Sequence, residues 1–95
     1  RLEFDRDARQ VMVDGDVLAL PRREVSLIEI LTEAQGRTVT KSDILDHLYG
    51  TGTDVEEGAV EVHVSRLRKR LKPLGFRIAV QRGLGYALAE QDAPA

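Results

Sequence analysis

Glu57-Gly58-Ala59-Val60-Glu61-Val62-His63-Val64-Ser65-Arg66-Leu67-Arg68-Lys69-Arg70-Leu71-Lys72 decides how this chain folds. Val60, Val64, Leu67 and Leu71 recur at i, i+4, i+7 and i+11, the one-sided pattern of an amphipathic helix. At the α-helical repeat these four lie within about 60° of one another around the axis, so together they form a stripe that must be buried. The far side carries Gly58, Val62, Ser65 and Lys69, flanked by Ala59 and Arg66, and is expected to hold no carboxylate. Small residues, one apolar side chain, a hydroxyl and cations suit a helix lying in a DNA major groove. There Arg reaches guanine edges through paired hydrogen bonds and Val touches a thymine methyl. Taken alone, the cations Arg66, Arg68, Lys69, Arg70 and Lys72 are equally compatible with a solvated helix end that complements the macrodipole.

Charge distribution separates these readings. The chain has 95 residues, 42% hydrophobic and 32% charged, and a formal net charge of −2, which by itself argues mildly against a polyanionic partner. Yet 14 of its 16 carboxylates fall at or before Glu61, and from Val62 to Ala89 there is none. Over that span Arg66, Arg68, Lys69, Arg70, Lys72, Arg77 and Arg82 form a single-signed segment, the electrostatic footprint of a nucleic-acid-binding face. The chain has no cysteine, which removes disulfides and thiolate metal sites and is compatible with a reducing cytosol. No apolar run approaches the roughly 20 residues that span a bilayer, and no signal-peptide pattern opens the chain, so a cytoplasmic location without membrane attachment is expected. Arg1 in place of an initiator methionine suggests an isolated domain or fragment.

Working outward, residues 2–20 read as short strands: Leu2-Glu3-Phe4, Val11-Met12-Val13 and, after the Asp14-Gly15 hairpin signal, Val17-Leu18-Ala19-Leu20. Pro21-Arg22-Arg23-Glu24 opens a first helix whose buried stripe is Val25, Leu27, Ile28, Leu31 and Ala34, with Gly36 as its left-handed cap. Thr40-Lys41-Ser42-Asp43 has the form of a capping box for a second helix, which buries Ile44, Leu45, Leu48 and Tyr49 and stops at Gly50. Gly50-Thr51-Gly52-Thr53-Asp54 reads as a connecting loop. Beyond the central helix and its terminators Pro73 and Gly75, Phe76, Ile78 and Val80 alternate in period two, as do Tyr86 and Leu88. The result is a hairpin, with Gly83 and Gly85 read as turn formers. Gly83-x-Gly85 lacks the third glycine and following helix of a dinucleotide fingerprint.

The expected fold is therefore α+β: a winged helix-turn-helix with an N-terminal antiparallel sheet, three helices and a C-terminal β-hairpin wing. One domain spans residues 1–90, with a tail at 91–95. Arg82 at the wing tip is placed to enter a neighbouring minor groove.

These residues resemble the OmpR/PhoB-type effector domain of bacterial response regulators. Leu20-Pro21-Arg22-Arg23-Glu24, Gly36-Arg37-Thr38-Val39-Thr40, Ala59 to Leu71 and Arg82-Gly83-Leu84-Gly85-Tyr86 carry the resemblance, which extends from about Leu2 to Leu88. It implies a transcription factor whose third helix (57–72) reads the major groove and whose wing (81–86) contacts the minor groove. Further implications are tandem half-sites in double-stranded DNA, a dimer on DNA from a domain monomeric in isolation, and a receiver domain outside this chain controlled by a sensor kinase. RNA polymerase would meet the loop at Thr51, Gly52, Thr53, Asp54 and Glu56. The sequence departs from the family at three places: Gly58, where Asn or Arg is frequent, Val80, where Thr is common, and Ala87, where a basic residue often follows the wing tyrosine. The resemblance implies a four-stranded N-terminal sheet, of which this chain starts at the second strand.

Helix geometry and the resemblance together nominate Val62, Ser65 and Arg66 for base readout. Lys69 is placed for base or phosphate, and Ala59 and Gly83 complete the contact surface. His63, Arg68 and Arg70 flank the groove-facing strip as phosphate candidates. Arg22 and Arg23 are better explained by solvation. Neither His63 nor His47 has companions at metal-ligand spacing, and no metal or cofactor is expected. An enzyme is the rival class, but Ser26, Ser42 and Ser65 lack an activating motif, and the carboxylates are scattered. A winged helix serving only protein interaction is the second rival; it would lack the steep salt dependence of a DNA binder.

Overall fold

A computed structural model describes residues 1–90; the tail expected at 91–95 lies outside them. The N-terminal sheet is an antiparallel meander of β1 (Leu2–Asp5), β2 (Gln10–Val13) and β3 (Asp16–Leu18). Asp14 and Gly15 both adopt positive φ, 51° and 87°, the conformation that a two-residue hairpin turn of this hand requires. The third strand ends at Leu18, two residues before the expected Leu20, where its pairing with β2 ends at Val11; the next partners would be Gln10 and then Arg9, whose φ of 50° takes the chain out of the extended conformation.

Helix α1 (Arg22–Glu33) buries Leu27, Ile28 and Leu31, as its stripe predicts, and also Glu24. Its left-handed exit begins one residue earlier than expected: Gln35 (φ 52°) precedes Gly36 (φ 86°). Helix α2 (Lys41–Tyr49) starts on the anticipated cap, the Thr40 hydroxyl accepting from the Asp43 amide at 3.0 Å, and stops at Gly50. Helix α3 spans Gly58–Leu71, one residue shorter at each end than the quoted stretch, and continues as a 3-10 turn at Lys72–Leu74. Gly75, with φ 88°, then reverses the chain.

The C-terminal hairpin pairs β5 (Phe76–Gln81) with β6 (Gly85–Glu90). A two-residue strand unforeseen in the sequence, β4 (Val39–Thr40), adds to β6 on its other side, giving the sheet order β4-β6-β5. Gly85 explains the closeness of that pairing. A Cβ there would stand 1.9 Å from the Val39 carbonyl oxygen, so Gly85 serves a backbone approach, whereas Gly83 (φ 74°) alone forms the turn.

All three helices converge on one core. Val60, Leu67 and Leu71 of α3, Leu27 and Ile28 of α1 and Ile44 of α2 are fully buried; Val64, Leu31 and Val11 are nearly so. Phe76, Ile78 and Tyr86 close it from the C-terminal sheet. Arg6 to Glu33 (2.8 Å) and Arg9 to Glu29 (3.1 Å) tie the N-terminal sheet to α1 from outside. This packing leaves the opposite side of α3 and the tip of the β5–β6 hairpin free.

Candidate nucleic-acid interface

The outer strip of α3 follows from its inner one. With Val60, Val64, Leu67 and Leu71 held in the core, helix geometry turns Gly58, Val62, Ser65, Arg66 and Lys69 outward, where they line a shallow groove. Val62 is 48% exposed and so available for contact. Ala59, by contrast, is half-buried at the edge of the strip. The strip also holds what the sequence reading denied it, a carboxylate. Glu61 lines the same groove, and its Oε1 accepts from the Lys41 ammonium at 2.9 Å. That contact, with a smaller charge attraction, raises the Lys41 pKa.

The cations and the histidine beside the strip have partners inside the molecule. Arg68 donates from Nη2 to the Ile78 carbonyl at 2.8 Å, fixing α3 to the wing strand. Arg70 places Nε 2.9 Å from Oε1 of the buried Glu24; the alignment is too poor for a hydrogen bond, so the contact is a charge pair. His63 Nε2 lies 2.7 Å from the Tyr49 hydroxyl. Tyr49 in turn carries the Arg23 guanidinium 4.1 Å above its ring, and Arg23 donates to the Leu48 carbonyl at 3.1 Å. Burial, then the charges of Arg23 and Arg66, lowers the His63 pKa, with Glu24 pulling weakly the other way. These residues thus brace α3 against α1, α2 and the sheet. Arg23, expected to be solvated, is part of that bracing. Sequence reading missed this because the partners lie 10 to 46 residues apart along the chain, beyond any local pattern.

At the wing, the turn Arg82-Gly83-Leu84 is exposed and is closed by the Leu84 amide donating to the Gln81 carbonyl at 2.9 Å. Through β4, the wing tip sits beside the start of α2. Thr40, Lys41 and Ser42 share a cleft with Glu57, Gly83 and Leu84. The exposed helix face and the basic wing tip are therefore held by one rigid sheet-and-helix frame. The loop residues Thr51, Gly52, Asp54 and Glu56 are exposed, and Thr53 is half-buried, its hydroxyl accepting from the Val55 amide at 3.1 Å.

Residues 15–88 match the family described as "Transcriptional regulatory protein, C terminal". The chain belongs to that family. It is similar to a probable transcriptional regulatory protein, y4xI, of Sinorhizobium fredii, 40% identical over 94 residues, covering 97% of this chain and 42% of the relative. The response regulator protein PmrA of Pseudomonas aeruginosa is 37% identical over 93 residues, covering 98% of this chain and 41% of the relative. The chain thus spans about two-fifths of the length of these relatives. Among solved structures, the Klebsiella pneumoniae RstA DNA-binding domain in complex with the RstA box superposes with a TM-score of 0.76 at 32% identity, covering 93% of this chain and 90% of that one. The DNA-binding domain of the response regulator AdeR, in complex with an intercistronic region, gives 0.80 at 28% identity, with 94% of each chain covered. The winged-helix fold and the OmpR/PhoB-type membership expected from the sequence are those of this family of response-regulator output domains.

Proposed function

We propose that this domain binds double-stranded DNA sequence-specifically and regulates transcription as the output domain of a response regulator. Helix α3 lies in the major groove and the Arg82-Gly83 wing tip lies at the adjacent minor groove. The observation that carries this reading is the outward strip of α3: Val62, Ser65, Arg66 and Lys69 are exposed on a helix whose opposite face is locked in the core. Arg66 and Val62 have the chemistry to read guanine and thymine, and Arg82 that to enter a narrow minor groove. Arg68, Arg70 and His63 reach phosphate only with what their internal contacts leave free. The role is binding, without catalysis.

The family supports a wider setting. In the cytoplasm, a receiver domain controlled by a sensor kinase drives this domain onto tandem half-sites as a dimer, although the domain alone is monomeric. Thr51, Gly52, Thr53, Asp54 and Glu56 face RNA polymerase from the α2–α3 loop.

Selection from a randomised duplex pool, at two salt concentrations, tests the central reading. The wild type should enrich a repeated motif with a steep salt dependence. Arg66→Ala should lose about 1–3 kcal/mol of discrimination at one position. Equal losses on specific and random DNA would make Arg66 a backbone contact. No enrichment by the wild type would point to a protein-interaction module instead.

A further inference from the structure

Glu61 is out of place on a surface that meets phosphates. Of the residues lining the outer groove of α3, it alone is negatively charged, and it is 59% exposed there. An unpaired carboxylate in that position would oppose any polyanion. The structure answers with Lys41, the first residue of α2, whose ammonium sits 2.9 Å from Glu61 Oε1. The cation neutralises the carboxylate locally and fixes its position, while Oε2 remains a second acceptor. Space on either side of Glu61 is open. One turn earlier stands Gly58, where an added Cβ would meet nothing within 4 Å, and one turn later stands the short Ser65. A base edge entering the groove can therefore reach the carboxylate.

We propose that Glu61, oriented by Lys41, is a specificity-determining residue that selects, on the strand it faces, a base whose major-groove edge carries an amino group, cytosine before adenine. This rests on the DNA-binding reading above. The chemistry is one-sided because a carboxylate only accepts. In the major groove cytosine presents the N4 amino donor alone, adenine presents N6 beside the N7 acceptor, and guanine and thymine present acceptors on the same edge. Glu61 therefore attracts cytosine, is partly opposed by adenine N7, and repels guanine and thymine. It is a filter as much as a contact. Because the pair is exposed, its removal leaves the fold intact.

The test compares motifs selected from one randomised duplex pool by the wild type, Glu61→Gln and Glu61→Ala. The wild-type motif should contain a position favouring cytosine by roughly 5-fold or more. Glu61→Gln, whose amide both donates and accepts, should move that position toward adenine, whereas Glu61→Ala should flatten it. All other positions should be unchanged. Motifs identical at every position in the three proteins, with only a uniform change in affinity, would overturn the proposal and leave the Lys41–Glu61 pair as a surface bridge. A wild type that enriches nothing would overturn the DNA-binding reading itself, a distinct outcome visible before any variant is compared.

Discussion

Gly85 has no room for a side chain. A methyl group there would press on the Val39 carbonyl at 1.9 Å, and backbone, unlike a flexible side chain, cannot swing aside. Gly85→Ala should therefore destabilise the domain by about 1–3 kcal/mol, read as a lower urea midpoint, through separation of β4 from β6. Gly58→Ala should leave the midpoint unchanged or raise it, since nothing lies within 4 Å of an added Cβ at that helical position. A similar midpoint for both variants would show that the β4–β6 contact relaxes freely. The sequence offered two glycines in Gly83-Leu84-Gly85 but not their division of labour. Gly83 supplies a positive φ of 74°, a local matter, whereas the need for Gly85 arises from a strand 45 residues away. Glu61 carries the same lesson. Its neighbour Val62 was legible as outward-facing, yet only the fold shows that the groove is wide enough to include the carboxylate one residue before it.

At the scale of elements, α3 is held by its stripe and by polar braces near its middle and toward its C-terminus. Toward its C-terminus, Glu24 is 1% exposed, and Arg70 is its charge partner. Arg70→Ala would strand a buried carboxylate and should cost about 1–3 kcal/mol of stability, less than for a fully enclosed pair because the guanidinium is half-exposed. An unaltered unfolding midpoint would mean that water reaches Glu24 instead. Near its middle, His63 meets Tyr49 and is kept neutral by burial and by Arg23 and Arg66. Its folded pKa lies below the unfolded value of about 6.5, so on acidification the unfolded chain takes up a proton that the folded one resists. Stability should therefore fall as pH drops from about 7 through the unfolded value toward the folded one. His63→Gln should flatten that part of a urea-midpoint profile between about pH 5 and 8. A profile of unchanged shape would remove His63 as the source of the slope; Glu29, whose pKa is raised by burial but lowered on balance by Arg9 and His47, acts only at more acid pH.

Across the whole molecule, charge is sorted by position. A net charge of −2 coexists with a segment from Val62 to Ala89 whose charged residues are all cations, and the fold leaves Arg66 and Lys69 exposed on α3 and Arg82 exposed at the wing tip. The observed association constant should accordingly fall with salt by about 0.9 logarithmic units per neutralised phosphate for each decade of salt. Arg82→Ala should make that slope shallower by about one. A slope unaffected by the substitution would remove Arg82 from the phosphate contacts. Not every cation in the segment is equivalent, since Arg68 and Arg70 have internal partners on β5 and α1.

What the sequence determined by itself is whatever repeats at short range. Three helices and most of their buried faces, the Asp14-Gly15 turn, the Thr40 cap and the C-terminal hairpin were all legible, because periodicity, capping and turn chemistry act over a few residues. The outward strip of α3 followed as the complement of its buried stripe. Only the tertiary structure decided which polar residues were free to act. Arg23, Glu24, Tyr49, His63 and Arg70 find one another across three helices, Lys41 finds Glu61, and Val39 finds Tyr86. Such pairings depend on the distance between elements once the core has closed, and no local pattern encodes that distance.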